Sequence, residues 1–310
     1  MITLPPLRPG RPPDPDLAER RGQMQAAVDA GAWKTAQPPL ETTLAGRRCL
    51  RFKPEGAPKG YMLQLHGGGF RIGRPEFESM FAEALAKRCH VEVVVPQYRL
   101  APEGPFPAGL TDALECLKAL RTEVGDAPLI VGGDSAGGGL AASLGVLCAG
   151  EGPRIDGLVM LSPAFFLSPA TTTALRAVRM LGQLTGKLFL YSSEGSDIHD
   201  ATARRVHPSC RLMPLIAPLE LLDLGAIVKP MLSQITQPTL VMHAKHDHTC
   251  PIRKNLDFVM KRLGSPEKRA IELEESFHVI TVDSEKERVA SEVTEFVERF
   301  RLAPAKRRSA

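Results

Sequence analysis

The chain has 310 residues, 43% of them hydrophobic and 24% charged, enough for one large or two small domains with a sizeable buried core. That excludes intrinsic disorder. A net charge of +4, with only 12 Phe, 3 Tyr and 1 Trp, leaves no basic stripe with interleaved aromatics, so no nucleic-acid partner is expected.

The six cysteines (Cys49, Cys89, Cys116, Cys148, Cys210 and Cys250) lie at least 27 positions apart and form no C-x-x-C motif. They read as buried, reduced thiols. The opening Met1–Pro6 has neither a basic nor an apolar leader region. No apolar run reaches the roughly 18 residues of a membrane span. The expectation is a soluble, cytoplasmic protein without a membrane span.

In chain order, residues 1–15 hold six prolines and read as a loosely ordered arm. Residues 16–33 are helix-forming, with Leu17, Met24, Val28 and Trp33 as apolar contacts. Residues 42–53 suggest an early strand or hairpin. Strand and helix then alternate: Tyr61–Leu65, the helix Phe77–Arg88, Val91–Pro96, the helix Leu110–Leu120, Leu129–Gly132, the helix Leu140–Cys148 and Leu158–Leu161. In the first of these helices, Phe77, Met80, Phe81, Ala84 and Leu85 are expected on one face.

Residues 164–235 break the alternation and read as a mostly helical cap insertion. The pattern resumes with Thr239–His243, the helix Ile252–Leu263, Ala270–Leu273 and the helix Lys286–Phe300. Residues 303–310 form a basic, flexible tail. Such alternation predicts an α/β fold with a mostly parallel sheet covered by helices on both faces. Ligands in such folds sit at the carboxyl ends of the strands.

Chemistry concentrates at two of those ends. Gly133-Asp134-Ser135-Ala136-Gly137 is a G-x-S-x-G between an apolar strand and an apolar helix. A sharp strand-to-helix turn would present Ser135 as a nucleophile, and side chains at 133 and 137 would clash in it. His66-Gly67-Gly68-Gly69-Phe70 follows an earlier strand. Glycines there let backbone N–H groups approach a developing oxyanion. The expected donors are Gly68, Gly69 and Ala136.

With Tyr98-Arg99-Leu100-Ala101-Pro102-Glu103, Phe106-Pro107-Ala108 and Asp112, these motifs resemble the hormone-sensitive-lipase-like branch of α/β-hydrolase esterases, from about residue 55 to 163. The resemblance implies a serine ester hydrolase acting on short acyl esters beneath a helical cap, partly N-terminal. It also implies that Tyr98 and Arg99 brace the loops beside the site. A cap helix is accordingly expected within residues 1–40.

The remaining partners of a Ser-acid-His triad follow in chain order. Asp247 lies after the penultimate strand and His278 after the last. Of the other seven histidines, His66, His90, His199 and His207 lack the context of a base. His243, His246 and His248 around Asp247 also admit a metal reading, but contiguous loop residues rarely converge on one ion. No metal or cofactor is expected. Gln237–Val241, Asp247-His248-Thr249 and Ser276–Thr281 resemble bacterial carboxylesterases and monoacylglycerol-lipase-like enzymes, so two branches of one superfold meet near Ser162-Pro163.

The reading is a carboxylesterase acting on small-molecule esters of short to medium acyl length. Its substrate-binding residues and oligomeric state are not legible. An amidase or deacetylase on the same site, or a catalytically impaired binding protein or hybrid, stays open.

Overall fold

The computed structural model describes residues 4–150, 152–169, 171–173, 189–191, 196–207, 212–214 and 217–302. Two short strands, β1 (Leu40–Leu44) and β2 (Arg47–Phe52), form an antiparallel hairpin turned at Ala45-Gly46, where both residues have positive φ. Six further strands follow: β3 (Tyr61–Leu65), β4 (Glu92–Pro96), β5 (Leu129–Asp134), β6 (Gly157–Leu161), β9 (Thr239–Ala244) and β10 (Lys268–Leu273). The sheet runs β1-β2-β4-β3-β5-β6-β9-β10. Only the pairings of β2 are antiparallel.

Successive strand residues point to opposite faces. Leu63, Val94, Val131, Met160 and Val241 enter one hydrophobic core, while Met62, Val93, Ile130, Val159 and Met242 enter the other. Burial on both faces explains why these strands read as continuous apolar runs rather than alternating ones. Helices α3 (Ala108–Val124) and α4 (Ala136–Leu147) cover the first face. Helices α2 (Ser79–Cys89) and α8 (Lys286–Leu302) cover the second.

The spacing of Val289, Val293, Phe296, Val297 and Phe300 predicts one apolar face, and α8 docks by it, the first four buried and Phe300 packed against them partly buried. Each such side chain contributes about 1.5–3 kcal/mol. That outweighs exposed ion pairs such as Arg269–Glu295, worth at most about 1 kcal/mol.

Helix α2 differs from its predicted face. A 3-10 turn over Pro75–Glu78 precedes it, and Phe81, Ala82, Leu85, Ala86 and Cys89 face the sheet. Met80 is 56% exposed. The turn resets the helical phase, and Phe77 packs on Trp33, ring centroids 4.9 Å apart.

The insertion between β6 and β9 is not wholly helical. Its described part holds the antiparallel pair β7 (Phe189–Tyr191) and β8 (Leu212–Pro214), the short helix α5 (Ala201–Val206), helix α6 (Ala217–Val228) and a 3-10 turn over Lys229–Gln234. The chain leaves the sheet under the control of buried Asn255 on α7 (Ile252–Arg262). Its Oδ1 accepts from the Phe165 and Phe166 amides at 3.0 and 2.8 Å, and its Nδ2 donates to the Phe166 carbonyl at 2.8 Å. Leu224 of α6 then packs beside Gly139 on α4. Among the apolar residues of the insertion, Phe165, Leu167, Leu221 and Leu224 join the core, and Phe166, Leu219 and Leu222 pack against it partly buried. Leu188 lies outside the described residues.

Helix α1 (Pro15–Asp29) is capped by Asp14, which accepts from the Leu17 amide at 2.9 Å. It buries Leu17 and Met24. Arg21 donates to the carbonyls of Arg71 and Ala101, at 2.8 and 2.9 Å. The preceding arm follows the same loops: the Arg11 amide donates to the Pro102 carbonyl, and Arg8 pairs with Asp223 on α6. The first three residues and the predicted tail 303–310 lie outside the described residues. Among the described residues, no helix is long and apolar enough to cross a membrane.

Candidate active site

Strand β5 ends at Asp134, and α4 begins at Ala136. Ser135 between them has φ 50° and ψ −116°, a conformation non-glycine residues rarely adopt. Its amide stays in the ladder, donating to the Leu161 carbonyl at 2.8 Å. The turn is closed by contact. A Cβ at Gly133 would lie 2.2 Å from the Gly137 carbonyl oxygen, and one at Gly137 would lie 1.9 Å from that of Leu65. The steric reason read from the sequence for glycine at both positions is therefore present in the backbone.

The loop after β3 lies alongside because Leu65 pairs with Gly133. Gly68 has φ +103° and lies so close to Gly73 that a Cβ would sit 2.4 Å from its nitrogen. The Gly68 carbonyl accepts from Arg71 and Ile72 at 3.0 and 3.1 Å. Gly69 follows with φ +59°. Ala136 opens α4, where amides lack intrahelical partners and the helix dipole is positive.

Tyr98 braces this loop. Its hydroxyl donates to the His66 carbonyl at 2.7 Å, and its ring stacks on the His66 imidazole with centroids 4.1 Å apart. Burial pushes His66 down to about 4, so it is neutral. Its Nδ1–H donates to the Gly67 carbonyl at 2.9 Å. Arg99 in turn pairs with buried Asp112 at 2.7 Å.

The acid and base come from the loops after β9 and β10. His278 Nε2 lies 2.8 Å from Ser135 Oγ, and its Nδ1 lies 2.7 Å from Asp247 Oδ2. The structure thus brings Ser135, His278 and Asp247 into one hydrogen-bonded chain across three strands. Asp247 Oδ1 accepts from the amides of Thr249 and Cys250 at 2.9 and 2.6 Å. Burial works against its charge. The His278 imidazole nearby, with hydrogen bonds from His243 and His278, outweighs burial and holds the carboxyl well below its ordinary range. Burial also works against protonation of His278, but the facing Asp247 carboxylate prevails and raises it above the ordinary imidazole value. Nδ1–H donated to Asp247 leaves the Nε2 lone pair for the serine hydroxyl.

Three residues support the site: His243, which the sequence placed beside the acid, and Asp197 and Asp283, which it did not single out. Buried His243, on β9, donates through Nε2 to Asp247 Oδ2 at 2.9 Å and to the Cys250 carbonyl at 2.7 Å. Asp197, in the insertion, accepts from the amides of His248 and Thr249 at 3.0 and 2.9 Å and fixes the acid loop. Asp283 accepts from the amides of His199, Asp200 and Phe277 at 2.7–2.8 Å, tying the insertion to the base loop. Only His243 carried a sequence signal, its place four residues before Asp247. Among the described residues, no three His, Cys, Asp or Glu side chains are grouped to hold a metal ion. His243 is buried while His246 and His248 are exposed.

A family model described as the alpha/beta hydrolase fold matches residues 62–281. The chain is 26% identical over 214 residues to the versiconal hemiacetal acetate esterase of Aspergillus parasiticus, covering 67% of this chain and 62% of that protein. It therefore spans less than two thirds of that relative's length. A soluble variant of the monoglyceride lipase from Saccharomyces cerevisiae, solved with a substrate analogue, matches with a TM-score of 0.69 at 16% identity, over 86% of this chain and 97% of that one. A hormone-sensitive lipase from a metagenome library matches with a TM-score of 0.64 at 22% identity, over 95% and 93%. At these identities both likenesses show the fold. The sheet order, the strand-to-helix turn at Ser135 and a family match over most of the chain agree: the chain belongs to the α/β-hydrolase family.

Proposed function

We propose that the protein is a serine carboxylic-ester hydrolase acting on short to medium acyl esters. The hydrogen-bonded chain Ser135–His278–Asp247 carries this reading. His278 takes the Ser135 proton as Oγ attacks the ester carbonyl. Asp247 holds the imidazole in its productive tautomer and stabilises its charged form. The amides of Gly68, Gly69 and Ala136 receive the oxyanion; one such donor is worth about 3–4 kcal/mol. The carbonyl re-forms and expels the alcohol, which takes its proton from His278. Water, deprotonated by His278, then attacks the acyl-enzyme, and collapse of that adduct returns Ser135 and the acid. Each step uses side chains, backbone amides and water alone.

Acyl length rests on two supports. One relative is named an acetate esterase. Phe165, Leu167 and Leu221 of the insertion are absorbed into the core rather than left to line a long channel.

The test is hydrolysis of a p-nitrophenyl ester series beside Ser135→Ala and His278→Ala. Activity peaking on short esters is expected, with kcat falling about 10⁴- to 10⁶-fold in each variant. Retained activity in Ser135→Ala would sink the nucleophile, and a folded but inert wild type would sink the enzyme reading.

A further inference from the structure

We propose that Glu78 and Asp134 form a buried carboxyl pair sharing one proton, and that this pair positions the His66–Phe70 loop and sets one negative charge behind His278. The inference rests on the reading of the site given above.

Asp134 ends β5 next to Ser135, and Glu78 ends the 3-10 turn that leads into α2. Both are buried, 8% and 3% exposed. Their carboxyls hydrogen-bond to each other. An ionised carboxylate only accepts, so a carboxyl–carboxyl hydrogen bond needs one proton. Gln64 Nε2 donates to Glu78 Oε2 at 2.9 Å, and the Gly67 amide faces both acids. The other titratable groups facing them are Tyr98, from the loop after β4, and His278. Neither Tyr98 nor Gln64 is a cation, so a second negative charge would go uncompensated while His278 is neutral. Burial raises both carboxyls, so the pair holds one proton and one negative charge between them.

Two consequences follow for the reaction. Asp134 Oδ2 lies where a Cβ on Gly67 would come within 2.5 Å, so Asp134 is the floor of the glycine loop. Tyr98 holds the same loop by the His66 carbonyl, and together they fix the direction of the amides that follow. When His278 takes the serine proton, the imidazolium meets Asp247 through its hydrogen bond and the charge of the pair from the side of the elbow. Glu78 and Asp134 are thus positioning residues.

The experiment has three readouts: kcat and KM against pH, the His278 imidazole titration by NMR, and the infrared carbonyl stretch of a protonated carboxylic acid at neutral pH. Wild type should show that stretch, and Glu78→Gln should lose it. Asp134→Asn should lower the pH at which His278 titrates. Glu78→Leu should lower kcat about 10²-fold, the scale of a misplaced loop, with little change in KM. Glu78→Gln, which keeps a donor and an acceptor, should recover most of that loss. Absence of the protonated-acid stretch in wild type overturns the proposal without any variant having to fold. So does an unmoved His278 titration in folded Asp134→Asn, or a folded Glu78→Gln as impaired as Glu78→Leu. A wild type inert on all esters would defeat the esterase reading, while the infrared and NMR results would still decide the pair.

Discussion

The nucleophile side of the site and its acid–base side are held by different forces. Ser135 and the glycine loop are set by backbone contact: Gly133 against Gly137, Gly137 against Leu65, and Gly68 against Gly73. Asp247 and His278 sit in loops held by polar side chains, several of them far away in sequence. Asp197 grips the acid loop, while Asp283 and Glu285 grip the base loop. Contact between backbones tolerates no added atom and leaves a mark in the sequence as glycine. Carboxylates accepting amide hydrogens look, in sequence, like any surface acid.

The backbone contact is tested most directly at Gly137. Gly137→Ala pushes a methyl into the Leu65 carbonyl, which belongs to the central sheet and cannot move alone. Loss of about 4 kcal/mol or more is expected, read by chemical denaturation. A fully stable Gly137→Ala would mean that contact does not define the elbow.

Asp283→Ala tests the other side. It leaves the amides of His199, Asp200 and Phe277 without their acceptor, and water can replace part of it. About 3 kcal/mol of lost stability is expected, together with reduced kcat, because Phe277 precedes His278. Loss of stability with kcat intact would show that Asp283 does not orient the base.

The charge on the acid–base side has a pH signature. His278 must be neutral to accept the serine proton, and its folded-state value is raised above 6.5. Activity should therefore rise with pH along a limb lying between 6.5 and about 9 in kcat/KM. The linked stability runs the other way: a raised imidazole stabilises the fold below its unfolded value, and that contribution is lost as pH rises through the folded one. A limb below 6.5 would mean that Asp247 does not govern the imidazole.

The smallest effect lies at Ser135 itself. Ser135→Gly relieves the positive φ but adds freedom to the unfolded chain. A net gain of about 1 kcal/mol is expected, with activity abolished. A destabilised Ser135→Gly would show that the turn carries no strain.

Much of this was legible beforehand. The alternating apolar runs carried the sheet and its two helical layers, because strands buried on both faces must be apolar throughout. Ser135 was legible from its flanking glycines. Asp247 and His278 were legible from chain order, once β9 and β10 were recognised as the last two strands. The face of α2 was missed because a 3-10 turn shifted its phase. The β7/β8 pair was missed because three-residue strands carry no periodicity. Glu78 lies in the helix read over Phe77–Arg88 and Asp134 in the G-x-S-x-G, and nothing in either stretch marks them as partners.

By itself, then, the sequence determined the fold class, the strand-to-helix turn and the residue types of the proposed triad. These depend on local sterics and hydrophobic period, which neighbouring residues encode. Tertiary structure alone decided which acids hold the loops: Asp197 of the insertion on the acid loop, and Asp283 of the base loop on His199 and Asp200 of the insertion. A hydrogen bond between residues tens of positions apart obeys no spacing rule, and burial, which gives those acids their energetic weight, exists only once the chain has folded.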